Sequence, residues 1–473
     1  MGKYTTETGE EKYYDNETDN YKQSHYQLHY LRELSPGFSF NTVFHYTRGK
    51  GYYEQYKENG KLNDYLIPDI VIGSEVISKT DLIRRKWLDN DFYGLVFSTV
   101  YRKNRLENII GGGFNIYEGD HYGDVIWARN AGISKINHRW YTNTGNKKDF
   151  NLFGKINYKL TENFYFYSDL QLRGIGYEMD GMDDDLFDIS QEHNYLFFNP
   201  KIGWNYIVSD KSRVFFSFAV ANREPNRSHF KDAKKGDPVP LHETLYDYES
   251  GYNLRLDNWA LDVNLFYMDY NNQLVLTGEI NDVGDPVMKN VKNSYRVGTE
   301  IVSALYINNK VRWNANMTLS RNKINNIGIF VDNWDYWNDP ENEPYQYTFE
   351  KKSADISFSP SVVASSNIDL AIYKDISLLL QSKYIGKQYI DNSGSEARKL
   401  DPYFVNDLII NYSFANKYIK EALLSFSVLN IFNTQYISNA WIYRYFENKE
   451  EKQLDGFFPQ AGTHFLAGLT LNF

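Results

Sequence analysis

Few stretches of this chain hold side chains that do chemistry, and each constrains what chemistry is open to it. His25 and His29 share one face of an extended segment, which raises the question of a metal. Four residues of strand span about 13 Å, whereas a zinc–nitrogen bond measures about 2.0–2.1 Å, so the pair reads as solvent- or lumen-facing histidines. The run "DGMDDD" at 180–185 lacks the alternating spacing of a calcium loop and reads as an acidic loop. "GGG" at 111–113 has no Lys-Ser/Thr continuation and is no phosphate cradle; glycines there permit close approach of another element. The chain has no cysteine, and no Ser, His and Asp set stands out. No enzyme activity, metal or cofactor is therefore expected.

Two stretches suit binding better than catalysis. "REPNR" places Arg223, Glu224, Asn226 and Arg227 just past an apolar strand. There the charges either contact a ligand or plug, or form a proline-set turn with a local ion pair. "NWDYWNDPENEPYQY" sets Trp334, Tyr336, Trp337 and Tyr345 among acids. Such rings can grip a ligand or a partner lipoprotein, and a self-packed loop or an interfacial girdle explains them as well.

These stretches must be carried by strands. Aromatic residues make up 17% of the chain, with 41 Tyr and 30 Phe, and such side chains suit a pleated, half-buried surface. No apolar run reaches the roughly 18 residues of a membrane helix, but a membrane barrel needs none, because its strands alternate lipid-facing and lumen-facing residues. "VRWNANMTLSR" shows that alternation plainly: Val311, Trp313, Ala315, Met317 and Leu319 oppose Arg312, Asn314, Asn316, Thr318 and Ser320. Tyr267, Tyr270 and Tyr412 at strand ends read as an interfacial belt. The net charge of −10 argues against nucleic acid as a partner.

The same patterning predicts about seventeen strands, from 20–33 to 462–473, with one spanning 355–370. Short turns such as "LSPG", "KNR" and "NNK" alternate with long polar segments. Outer-membrane barrels show this asymmetry, with short periplasmic turns and long extracellular loops. The expected fold is an all-β antiparallel transmembrane barrel over 20–473, with residues 1–19 in an extracellular loop. If the last strand descends to the periplasm, the first descends too. The chain then reads as the carboxy-terminal part of a larger barrel, and five further strands would give the twenty-two of plugged transporters. A 16- or 18-stranded passive porin is the alternative.

With "YYDNETDNYKQSHYQLHY", "DLIRRKWLDNDFYG", "NREPNRSHF", "NLFYMDYNNQLVLTGEI", "SYRVGTEI" and "VLNIFNTQYIS", the chain resembles the TonB-dependent outer-membrane receptors, especially those of Bacteroidota. The resemblance implies a 22-stranded barrel occluded by an amino-terminal plug. It also implies import of a scarce nutrient such as an iron chelate, haem or cobalamin across the outer membrane of a Gram-negative bacterium. The plug and the TonB-contacting segment ahead of it have no counterpart in this sequence, nor does "MGKYTTETGEEKYYDNETDN" read as a secretory signal. The partners implied are outer-membrane lipid, an extracellular small solute, TonB through the plug region, and a surface lipoprotein. The resemblance further makes the closing "GTHFLAGLTLNF", with Phe465, Leu469, Leu471 and Phe473 on one face, the signal read by the barrel-assembly machinery.

Overall fold

The computed structural model describes residues 2–472 except 7, 133, 136, 234–237, 282–283 and 416. Phe473 lies outside the described residues. The chain divides into two compact units, one of residues 1–158 and 169–199, the other of residues 159–168 and 200–473. No described helix is long and apolar enough to cross a membrane.

The first unit is an antiparallel meander of β1 (Asp19–Ser35), β2 (Phe38–Lys61), β3 (Lys79–Lys103), β4 (Leu106–Ala128) and β5 (His138–Lys159). Their tight ends are the short turns expected from sequence, with Ser35 paired to Phe38 and Lys103 to Leu106. About 9–11 tilted residues cross a membrane, yet β3 has 25. The surplus lies at the long-loop end. There Leu62, Tyr65, Ile67, Leu82, Val125 and Trp140 bury themselves in a small core of their own. Gly111 to Gly113 serve close packing in β4: a Cβ on Gly112 would stand 2.4 Å from the Asn151 carbonyl.

Strands β6 (Phe164–Gly181) and β7 (Gln191–Ser209) have residues in both units. The second unit continues with β8 (Ser212–Arg223), the helix α1 (Arg227–Asp232), β9 (Glu243–Arg255), β10 (Trp259–Ile280), β11 (Pro286–Asn308) and β12 (Val311–Asn333). It ends with β13 (Gln346–Asp355), β14 (Val362–Tyr373), β15 (Ile376–Ile385), β16 (Tyr403–Phe414), β17 (Glu421–Leu429), β18 (Ile437–Glu447), β19 (Glu450–Pro459) and β20 (His464–Asn472).

Seventeen of these twenty strands answer to the expected segments, and β13, β18 and β19 are additional. The segment expected as one strand over 355–370 is broken. β12 pairs with β13 along its outer half and with β14 along its inner half. Residues 356–361 lie between the two strands; within them Pro360 has no N–H to donate, and Phe358 takes a left-handed φ of 49°. The freed amides find other partners: Ser357 donates to Asn392 Oδ1 (2.9 Å) and Phe358 to the Tyr389 carbonyl (2.9 Å). The β18–β19 hairpin is an unanticipated excursion. It turns on Asn448 and Lys449, both at positive φ, a geometry suited to two-residue hairpins. Beneath it β17 pairs directly with β20.

The registers keep the faces in rows. Val263, Ile301, Met317 and Ala364 are successive cross-strand neighbours, as are Asn264, Glu300 and Thr318 on the opposite face. Phe218, Tyr248, Tyr267 and Tyr295 form a row of ring contacts with centroids 4.8–6.4 Å apart. Tyr270 does not belong to that row. Three residues from Tyr267, it falls on the other face, and its hydroxyl reaches Met268 Sδ at 3.7 Å.

Candidate ligand site

At the long-loop end of the second unit, α1, the outer halves of β10, β11 and β12, the loop at 390–393 and β18 enclose a cavity of about 520 Å³. Val275, Ile327 and Phe330 line it with apolar surface, and His229, Asn290 and Arg444 with polar groups. A mixed wall of this size suits a small ligand.

The "REPNR" residues do not line the cavity; they adjoin and cap α1, which does. Arg223 Nε pairs with Glu243 Oε1 at 2.8 Å, and the second oxygen of Glu243 accepts the Leu274 amide at 2.9 Å. Glu224 precedes Pro225, which is fully buried. Asn226 caps α1: its Oδ1 accepts the His229 amide at 3.0 Å, while its own amide donates to His229 Nδ1 at 3.1 Å. This reciprocal box satisfies two amides that a helix start leaves open. Arg227 is the first residue of the helix. The exchange holds the buried His229 ring with Nδ1 as an acceptor, and burial, helped by the charge of Arg223, lowers the imidazole's pKa.

On the opposite side sits a charged network. Asp391 Oδ2 lies 3.2 Å from Arg398 Nε and 3.6 Å from Arg444 Nη1, out of hydrogen-bond alignment with both. Its other oxygen accepts from the Ser393 amide (3.0 Å) and hydroxyl (2.5 Å). Both arginines also reach Glu451 Oε1, at 3.1 and 2.7 Å. Residues 53 apart in sequence thereby tie the 390–398 loop to the hairpin.

The aromatic loop anchors the same hairpin. Residues 334–337 form one short 3-10 turn, in which Trp334 stacks on Tyr445 at 3.9 Å. Trp334 Nε1 donates to the Tyr443 hydroxyl (3.2 Å), which donates to Asp332 Oδ2 (2.7 Å). Burial and that carboxylate push the Tyr443 phenol above its ordinary range. Asp335 accepts the Asn448 and Lys449 amides at 2.8 Å each, and these bonds hold its carboxyl below the usual range. Tyr336, Trp337 and Tyr345 meet one another edge to face. The structure thus gathers the four aromatics into one loop, apart from the "REPNR" residues. Sequence reading missed His229, Asp391 and Arg444. Only the Asn226 to His229 spacing, a capping-box distance, carried a local signal.

The remaining candidates have plain surroundings. His25 Nδ1 lies 2.9 Å from Thr47 Oγ1, and His29 Nε2 lies 3.1 Å from Gln27 Oε1. Asp183, Asp184 and Asp185 bring carboxylate oxygens within 4.8 Å of one another. However, Asp183 accepts the Asp185 and Phe187 amides, as in a turn, and Asp184 pairs with Lys86. In β20, Phe465 stacks on Phe426 at 6.0 Å, Leu469 faces Leu424 and Leu471 faces Ala422.

The family model described as "TonB dependent receptor-like, beta-barrel" matches residues 2–433. The chain belongs to the TonB-dependent receptors. This receptor barrel is an outer-membrane protein of Gram-negative type. In fold it is similar to the ferric-catecholate import receptor Fiu of E. coli K12 in its closed form (TM-score 0.64, 14% identity, 97% of this chain and 65% of that one). It is also similar to the copper transporter OprC (0.66, 11%, 95% and 65%) and to the unliganded ferric citrate transporter FecA (0.63, 15%, 95% and 62%). This receptor barrel therefore spans just under two thirds of those chains. No curated protein sequence matches it significantly.

Proposed function

We propose that this barrel belongs to an importer that captures a scarce nutrient at the cell surface, a metal chelate first among the candidates and haem or cobalamin after it. The observation that carries the reading is the 520 Å³ cavity of mixed polarity at the ends of strands far longer than a membrane requires. A passive pore has no need of such a chamber, whereas a receptor must hold its solute before moving it. The printed functions of the similar structures, ferric-catecholate import, copper transport and ferric citrate transport, point the same way.

In this reading α1, β18 and the 390–393 loop form the selective mouth, and "REPNR" acts on the solute by holding α1. Energy comes from TonB through a plug region, lipid surrounds the wall, and the β20 face with Phe465, Leu469, Leu471 and Phe473 directs assembly. The test is uptake of labelled ferric chelates, haem and cobalamin by the native host with the gene intact and deleted, with and without collapse of the inner-membrane proton gradient. Gene- and gradient-dependent uptake of one solute supports the reading. Gradient-independent diffusion of many small solutes would identify a porin instead.

A further inference from the structure

Building on the cavity's role as a capture chamber proposed above, we infer that the Nε2–H of His229 is the donor that recognises the solute. The solute it fits is a chelate without net charge, held through a carbonyl oxygen, rather than a bare metal ion. The Asn226 backbone amide can only donate, and it meets His229 Nδ1 at 3.1 Å. A ring nitrogen that accepts carries no proton, so in the neutral ring the proton sits on Nε2. Burial favours that neutral ring. His229 lines the cavity and is only 8% exposed, and its Nε2 meets no acceptor among the described residues. A donor left open in so buried a side chain is unfavourable until an occupant accepts from it.

Much of the remaining polar wall is engaged internally. Asn290 donates to the Leu241 and Asn272 carbonyls at 2.9 and 2.7 Å and accepts the Leu241 amide at 2.8 Å. Asn392 donates to the Leu276 carbonyl (2.8 Å) and accepts the Ser357 amide (2.9 Å), and Thr277 Oγ1 donates to the Val287 carbonyl (3.0 Å). Among the lining residues, the acids Asp232, Glu279 and Asp391 match the bases Lys289, Lys292 and Arg444 in number. Such a wall supplies no net field to offset the desolvation of a polyanion, whereas Val275, Ile327 and Phe330 give a neutral chelate apolar surface. A bare cation fares no better. To ligate one, Nε2 must be free of its proton; in the neutral ring the proton then sits on Nδ1, where it opposes the Asn226 amide and breaks the capping box.

Isothermal titration of the purified full chain in non-ionic detergent compares ferrichrome, a neutral ferric tris-hydroxamate, with ferric citrate, Cu2+ and Zn2+. Ferrichrome is expected to bind about tenfold more tightly than ferric citrate, or better. His229→Phe, which keeps a flat ring and removes the donor, should weaken ferrichrome about tenfold, the worth of one hydrogen bond. His229→Gln, whose amide places an N–H near the Nε2 position, should retain most of the binding. The two cations should give no heat that depends on His229. Nitrogen-15 spectra of the histidine-labelled chain, with His229 assigned by its absence from His229→Gln, should show Nδ1 unprotonated. That readout stands even where His229→Phe disturbs α1. Ferrichrome binding unchanged in His229→Phe, a proton on Nδ1, ferric citrate bound as tightly as ferrichrome, or a cation site lost with His229 would each overturn the inference and leave the capture reading standing. Binding of neither chelate overturns it as well, and the capture reading falls with it only where the host also shows no gene-dependent uptake.

Discussion

Replacing Asp391 by Asn should release the β18–β19 hairpin while leaving the barrel wall intact. The Asp391 side chain is only 5% exposed and stands between two guanidinium groups at 3.2 and 3.6 Å. At an effective dielectric near 20, each such attraction amounts to about 5 kcal/mol before desolvation. Desolvation of a buried carboxylate cancels several kcal/mol of that sum. Removing one member of a buried charged set typically costs about 3–5 kcal/mol, because the others remain buried and unmatched. Glu451 still reaches both arginines, which argues for the lower end, about 3 kcal/mol. Asn also keeps an oxygen for the Ser393 amide, so the change isolates charge from shape.

About 3 kcal/mol corresponds to roughly a hundredfold rise in local opening. Hydrogen-exchange mass spectrometry on peptides covering 437–459 should show that rise, with β14–β15 peptides unchanged as the internal reference. Glu451→Gln is the matched comparison: Glu451 is 34% exposed, and its loss should cost no more than about 1 kcal/mol. Exchange in Asp391→Asn indistinguishable from wild type, or slower than in Glu451→Gln, would refute the assignment of this network as the hairpin's anchor.

Three further outcomes follow from the same geometry. Met317→Arg, in the apolar row with Val263 and Ile301, should destabilise the membrane-inserted barrel by about 2–4 kcal/mol in denaturant titrations with lipid vesicles. Asn316→Arg on the opposite face should cost clearly less, and equal costs would reverse the faces. Asn226→Ala should cost about 1 kcal/mol of local stability through the lost cap and lower solute affinity without altering barrel insertion, as checked by exchange over 226–232 and by ligand titration. The third concerns pH. His229 has a folded-state pKa below its unfolded value of about 6.5 because burial disfavours its charge. Its contribution to α1 is complete above that pH and is lost as pH falls from about 6.5 toward the depressed folded value. Exchange over 226–232 should accelerate on acidification beyond the intrinsic rate change, and His229→Gln should remove the step.

The membrane-spanning strands were legible because lipid and lumen impose opposite polarities on alternate residues, and 311–320 writes that demand directly into the chain. The regions beyond the membrane obey no such rule. The outer parts of β2, β3 and β12 have solvent or loops on both sides, so their periodicity fades and the expected segments fall short of the observed ends. The break at 356–361 carried a local sign, Pro360, but its partners, Tyr389 and Asn392, lie more than thirty residues away. Separation is greater still at the candidate site: Asp332 and Tyr443 meet across 111 residues and Asp391 and Arg444 across 53. Nothing local marks either partner. Both readings of "REPNR" were open in the sequence, and the ion pair and cap now give it a structural role one step from the cavity.

Because β17 and β20 pair from Ala422 with Leu471 to Leu429 with His464 without help from the residues between them, the whole of 430–463 hangs from a seam already sewn. Evolution can lengthen, shorten or exchange that excursion without reopening the wall, and so can an engineer. This part of the surface can be redrawn while the two strands beneath it keep their register.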